Sequence, residues 1–218
     1  MKLTYIYHSG YAIETENFTI VIDYYKDSDD EVVKNKLLKK KGRLYVLSTH
    51  SHHDHFNKEI LNWKTEHPDV IYIFSKDVLA NKNARDSDAV YLDKSESYQD
   101  DILFIQAYGS TDLGVSFLIK AENKIIFHAG DLNNWHWNEE STAEEIKEAE
   151  DFYQRELDLL AKDVKHLDLA MFPIDPRLGK DYMKGAEQFV DAIQTAILAP
   201  MHFDKACGFC RHCFRERQ

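Results

Sequence analysis

Three segments near the amino terminus, "KLTYIYH", "YAIET" and "FTIVIDYY", carry β-branched and aromatic residues at period two, set apart by "SG" and "EN" turns. Strand side chains alternate between faces, so these runs commit the chain to a sheet before any helix is available. "DDEVVKNKLLKK" then spaces Val32, Val33, Leu37 and Leu38 as a helix would, and "RLYVLST" reads as a buried strand. "NKEILNWKTEH" predicts a helix with Asn57 as its N-cap. Further strands are predicted at "VIYIFS", "ILFIQAY", "GVSFLIK" and "KIIFHAG". A long acidic helix follows from Ser141 to about Val164, opened by a capping box of Ser141 and Glu144. "HLDLAMFPI" reads as a strand, "GAEQFVDAIQ" as a helix and "AILAPMH" as a last strand. Strands first, then strands alternating with helices, suit an α/β sandwich of two packed sheets with helices on the outer faces.

A chain of 218 residues, 44% hydrophobic and 30% charged, fits one soluble domain spanning residues 1–218. No apolar run approaches the roughly 20 residues that span a bilayer. The opening "MKLTYIYHSGYAIE" alternates like a strand rather than showing a basic and then an apolar signal region, so a cytoplasmic location is expected. The net charge of -11 disfavours nucleic acid as a partner, because backbone binding needs clustered Lys and Arg. The one basic run, "KNKLLKKKGR", fits a solvated helix end. Cys207, Cys210 and Cys213 crowd the last dozen residues, where they cannot staple a core. With His212 their spacing is that of a small zinc site. The weightier reading is a flexible Cys-containing tail over residues 205–218.

The stretch "STHSHHDHFN", residues 48–57, holds four of the eleven histidines. It sits where a buried strand hands the chain to a loop, a favoured place for chemistry on a rigid sheet. Imidazole and carboxylate suit Zn, Mn or Fe. His50 and His52, separated by one residue, can share one ion, and Asp54 with His55 can turn towards a second. His53 fills the intervening position and faces away.

"THSHHDH" resembles the HxHxDH signature of the metallo-β-lactamase superfamily. The resemblance extends over nearly the whole chain: "YHSGYAIETENFTIVIDYY" is similar to the opening of the ascorbate-phosphate-lactonase-like subgroup, "IIFHAGD" to the strand ending in Gly-Asp, and "ILAPMHF" to the last strand with its Pro-x-His. It implies a four-layer αββα sandwich with a metal site at the sheet edges. It makes His50 and His52 ligands of a first metal, and Asp54, His55 and His202 ligands of a second, with Asp131 bridging. Asp23 becomes a carboxylate that orients a ligand histidine, a role metal-bound imidazoles usually require, and His8 lies near the site.

One part of the pattern is missing. Gly109 or Ser110 stands where the family has another histidine for the first metal. His128, three residues before Asp131, should point to the opposite strand face. His136, in "NNWHW", is the candidate substitute ligand. Trp135 beside it suits an apolar substrate wall. In "FPIDPRLGKDY", Arg177 is a candidate substrate clamp and Tyr182 a lesser one, although Arg177 pairing with Asp175 carries more weight.

The implied cofactor is zinc, one ion or two, with Mn or Fe as alternatives. Bound zinc lowers the pKa of its water to about 7 and so supplies hydroxide at neutral pH. Asp54 would ligate a metal and orient that hydroxide or shuttle its proton. The expected activity is hydrolysis of a small-molecule ester, lactone or phosphoester, with no membrane partner. The competing expectation is a binding module that keeps the hydrolase fold but has lost turnover.

Overall fold

A computed structural model describes residues 1–203, so the cysteine cluster and the expected tail at 205–218 lie outside the described residues. The chain falls into two compact units, the first running from Met1 to Asp93 and the second starting at Lys94. Both are α/β, as the order of segments predicts.

The first unit is a six-stranded sheet in chain order: β1 (Lys2–Tyr7), β2 (Gly10–Glu14), β3 (Phe18–Ile22), β4 (Arg43–Ser48), β5 (Ile71–Ser75) and β6 (Val90–Leu92). β1, β2 and β3 pair antiparallel through the tight turns that the sequence marks. From β3 onward the pairing is parallel. Parallel neighbours need crossovers, and the long segments between these strands supply them. The predicted helix around Val32 to Leu38 divides into α1 (Val32–Asn35) and a 3-10 turn, Leu37–Lys39. The segment after Asn57 is 3-10 rather than α-helical over Lys58–Thr65, with the Asn57 side chain accepting the Glu59 N–H at 2.9 Å. A short helix not expected from the sequence, α2 (Lys76–Ala80), follows β5 directly. Val21, Val46 and Phe74 from the sheet pack with Leu37, Ile60, Trp63 and Val78 from the crossovers.

The second unit is also a six-stranded sheet. It contains β7 (Ser97–Gln99), β8 (Leu103–Tyr108), β9 (Ser116–Ala121), β10 (Lys124–His128), β12 (Leu169–Pro173) and β14 (Leu198–Met201), in the order β14-β12-β10-β9-β8-β7. β11 (His166–Leu167) and β13 (Gln194–Thr195) form a small parallel pair. The single strand expected over "HLDLAMFPI" is therefore broken at Asp168. There the side chain takes the Ile125 N–H at 2.9 Å and pairs with Lys124 at 2.7 Å, which interrupts the ladder. The long helix is α3 (Ala143–Asp163), and its capping box is Thr142 with Glu145, one residue later than expected. α4 (Lys184–Ala192) joins it through the Tyr153 hydroxyl, which donates to the Gly185 carbonyl at 2.7 Å. Phe189 of α4 stacks on Phe127 of β10 at 5.5 Å and lies 4.8 Å from Phe172 of β12, all three fully buried. Among the described residues no helix is long and apolar enough to cross a membrane.

Both sheets serve chemistry in the same way. β3, β4 and β5 are parallel and end at one edge, as do β10, β12 and β14. The loops that leave those carboxyl ends carry the candidate site residues, the place where α/β sheets usually bind ligands.

The Phe127–Phe189–Phe172 cluster should govern the stability of the second unit. Phe189→Ala is expected to cost about 3–5 kcal/mol, the usual range for emptying a buried aromatic position. Urea denaturation followed by circular dichroism measures it, and a loss under 1 kcal/mol would show that the cluster is not a packed core.

Candidate metal centre

In the first unit the arrangement starts from Asp23, the residue after β3. Its N–H bonds the Leu47 carbonyl at 2.9 Å, which docks it beside the end of β4. One carboxylate oxygen accepts the Thr49 N–H at 2.7 Å. The other accepts the Thr49 hydroxyl at 2.7 Å and faces His55 Nδ1 at 2.8 Å. Asp23 and His55 are fully buried. A carboxylate there holds the proton of His55 on Nδ1 and leaves Nε2 as the ring's acceptor atom, the arrangement that suits a metal ligand. The relay continues through Thr49. With its hydroxyl proton given to Asp23, its oxygen accepts from His50 Nδ1 at 3.1 Å. His50 Nε2 then faces His52 Nδ1 at 3.1 Å. Two imidazole nitrogens each about 2.0–2.1 Å from a tetrahedral ion would lie about 3.3 Å apart, so this pair already has the bite of a chelate.

The loop is closed by its own backbone: the N–H groups of His55 and Phe56 both bond the His52 carbonyl, at 3.0 and 2.9 Å. Ser48 Oγ holds the His50 carbonyl at 2.9 Å, and Asp77 at the start of α2 takes the Ser51 N–H at 2.9 Å. His8 Nε2 lies 3.4 Å from Asp54 Oδ2. His8, Asp54 and His55 each offer a ligand atom, all within 4.8 Å of one another. Burial raises the Asp54 pKa, but the His8 hydrogen bond and the positive potential of His55 outweigh it and hold the carboxyl well below the usual range. His53 points outward, 85% exposed, against the Tyr25 ring.

The second unit repeats the device. His202 follows β14, and its Nδ1 lies 2.9 Å from the Asp175 carboxylate, two residues past β12. Its Nε2 faces Asp131 Oδ1 at 3.5 Å. Asp131 follows β10 through Gly130, whose φ of 54° is one glycine adopts without a Cβ penalty. Asp175 also takes Arg177 in a forked pair at 2.5–3.0 Å, the structural pairing weighed from the sequence. Arg177 lies over Trp137, and Trp137 stacks with Trp135 at 6.1 Å. Trp135 donates its ring N–H to the Asp131 carbonyl at 2.8 Å, and its ring lies 5.3 Å from His202. The Trp135–Trp137 pair is thus tied to the loop that carries Asp131. Tyr182 is half-buried at the end of the 3-10 segment Pro176–Asp181.

His128 and His136 are buried and hydrogen-bonded within the second unit. His128 Nδ1 accepts the Gly130 N–H at 3.2 Å. His136 is buried, with Nε2 on the Asp181 carbonyl and Nδ1 on the Asn138 N–H, each at 3.2 Å. Sequence reasoning missed three contributors. Thr49 is the relay to His50, and Asp175 supports His202. Asp112, two residues past Ser110, presents a carboxylate oxygen within 4.8 Å of one on Asp131. Asp112 stands in the stretch where the resemblance expects a further histidine. Backbone strain marks the same neighbourhoods: His8, Asp23, Trp137 and His202 all adopt positive φ, between 42° and 66°. Such conformations cost of order 1–3 kcal/mol each and gather at functional sites.

A family model for the β-lactamase superfamily domain matches residues 2–148. The chain is 25% identical over 215 residues to a UPF0173 metal-dependent hydrolase, NEQ378, of Nanoarchaeum equitans, covering 94% of this chain and 84% of that protein. Its fold is similar to that of Igni18, a metallo hydrolase from Ignicoccus hospitalis, with a TM-score of 0.63 at 18% identity over 93% of this chain and 82% of the other. It is also similar to the metallo-β-lactamase fold protein YhfI from Bacillus subtilis, with a TM-score of 0.61 at 10% identity over 90% and 79%.

Asp23→Asn replaces an acceptor with a donor opposite Thr49 and His55. Metal affinity should fall about 10- to 100-fold, the usual cost of losing a carboxylate behind a ligand histidine; competition with a chromophoric chelator reads this directly. Asp175 gives a pH test. Burial raises its pKa, but hydrogen bonds from His202 and Arg177 win and hold it well below the usual value of about 3.9. A depressed folded-state pKa contributes stability above the unfolded value. That contribution is lost as the pH falls from about 4 towards the folded value. Asp175→Asn should therefore flatten the acid limb of a Tm-against-pH profile, and an unchanged slope below pH 4 would contradict the assignment.

Proposed function

The chain belongs to the metallo-β-lactamase superfamily, and from that premise we propose that it is a metal-dependent hydrolase of small-molecule esters, lactones or phosphoesters, with zinc the first candidate ion. The candidate ligands in this reading are His50, His52, Asp54 and His55 in the first unit and Asp131 and His202 in the second. One observation carries it. In each unit a buried carboxylate, Asp23 or Asp175, holds Nδ1 of a histidine at 2.8–2.9 Å and directs Nε2 outward. A histidine that served packing alone would not need that second carboxylate, whereas a metal ligand does.

A divalent ion in such a set supplies Lewis acidity and acidifies water towards neutral pH. The chain's own residues do the rest. Asp54, kept ionised by His8 and His55, is placed to accept a proton from the attacking water and to orient it. Trp135 and Trp137 offer a flat apolar wall that excludes water from one side of a substrate. Arg177, with a 65% exposed side chain on the same wall, can meet an anionic group as well as Asp175. Its Asp175 pair fixes the direction of the guanidinium plane.

A panel of lactones, nitrophenyl esters, phosphomonoesters and phosphodiesters, assayed with metal-reconstituted protein, tests the reading. Asp54→Ala should lower kcat/KM for any substrate turned over by about 10²–10⁴-fold, the contribution expected of a positioned acid–base group. Metal uptake with no turnover on any member would favour a binding module on a hydrolase fold, and wild-type protein that takes up no divalent ion would defeat the proposal.

A further inference from the structure

The first unit carries a cleft of about 960 Å³ that contains none of the candidate metal ligands. Its walls come from the 3-10 segment Lys58–Thr65, from β5 at Tyr72, and from the end of α2 with the turn that follows. Four cations line it, Lys58, Lys64, Lys82 and Arg85, against two acids, Glu59 and Asp88. Arg85 and Asp88 neutralise each other in a forked pair at 2.9–3.2 Å. Lys58, Lys64 and Lys82 form no ion pair among the described residues. Three uncompensated ammonium groups in one cleft run against a chain of 38 acidic and 27 basic residues. Like charges gathered in a concave, low-dielectric surface focus their field on an oppositely charged ligand.

Lys82 gives a second, independent sign. Its N–H bonds the Leu79 carbonyl at 2.9 Å, and the Asn83 N–H bonds the Val78 carbonyl at 3.0 Å, the paired closure that ends many helices. That closure places Lys82 in the left-handed region, with φ of 57°, where glycine is the usual residue because it has no Cβ. The chain accepts backbone strain here and gains a cation on the cleft wall. Asn83, also on that wall, donates its side-chain N–H to the Ser51 carbonyl at 3.1 Å, so the rim is held in place.

We propose that this cleft binds a small organic phosphate with at least two negative charges, of the size and charge of a nucleoside diphosphate. Lys58, Lys64 and Lys82 meet the phosphates as point charges on flexible stems. Leu61, Leu79 and Tyr72 supply an apolar bed for the organic body, and the Tyr72 hydroxyl is already given to the Ile60 carbonyl at 2.6 Å. The volume suits such a ligand, since small-molecule pockets run to roughly 300–1,000 Å³. The cleft shares no residue with the candidate metal ligands, so its occupancy does not depend on the hydrolase reading.

The test is calorimetric titration of the full chain with ADP, pyrophosphate and adenosine, in buffer free of divalent ions so that no metal captures the phosphates. ADP should bind more tightly than pyrophosphate, and adenosine should not bind. Raising the salt concentration should weaken the ADP complex. Lys82→Gly and Lys64→Gln should each weaken ADP binding about 10-fold, the scale of one hydrogen bond to a charged group. Lys41→Gln, at an exposed lysine that does not line the cleft, should leave it unchanged. Lys82→Gly also separates binding from folding: glycine relieves the left-handed strain, so this variant should melt at the wild-type temperature or above while binding ADP less well. Wild type that binds no ADP, or Lys82→Gly and Lys64→Gln that bind it as wild type does, would overturn the proposal. Equal affinity for pyrophosphate and ADP would overturn the assignment of an organic ligand.

Discussion

Asp23 is the interaction on which the first unit's chemistry depends. One buried carboxylate gathers a backbone N–H, a hydroxyl and an imidazole, all within 2.8 Å. Burying a charge is expensive unless its lone pairs are satisfied, and here three donors offset that cost. In return the carboxylate fixes His55 directly and His50 through Thr49. It does so in a left-handed backbone conformation, with φ of 48°, which the parallel docking of β3 and β4 maintains. The strain, the buried charge and the oriented imidazoles are parts of a single arrangement, and none of the three would persist without the other two.

The second unit reaches the same end by independent means. Asp175 and His202 come from segments 27 residues apart, brought together because β12 and β14 are parallel and in register from Ala170 with Leu198 to Pro173 with Met201. Asp175 also anchors Arg177, so one carboxylate positions both a candidate ligand and a candidate substrate contact. The first residues of the loop after β12 hydrogen-bond inward, with Asp175 also capping the 3-10 segment through the Arg177 N–H at 2.9 Å.

Strong local signals carry over into the structure, although the segment after Asn57 forms a 3-10 rather than an α-helix and α2 had no signal. Period-two runs became strands, and the histidine cluster fell on the loop after β4. Errors arose where two local solutions are nearly equal in energy. Ser141 and Thr142 are both good caps, with Glu144 and Glu145 three residues on from each, and the structure uses the later pair. The break at Asp168 depends on Lys124 and Ile125, which no local window contains. The same holds for Thr49 and Asp175. Their roles are created by strand pairing and loop clamping between distant segments, whereas the spacing of His50, His52, Asp54 and His55 is fixed by the chain itself.

The docking of β3 against β4 acts as a ruler. Ile22 lies opposite Leu47, and the next residues outward are Asp23 and the Ser48–Thr49 pair. A slip of one residue would turn Thr49 to the other face of the sheet and leave Asp23 with an unmet buried charge. The polar contacts at the strand ends therefore proofread the alignment of the apolar strands behind them, at a boundary where hydrophobic side chains of similar size would tolerate a shift. A misaligned first unit would lack its ligand geometry from the outset, so correct folding and the capacity to hold a metal are acquired in the same step.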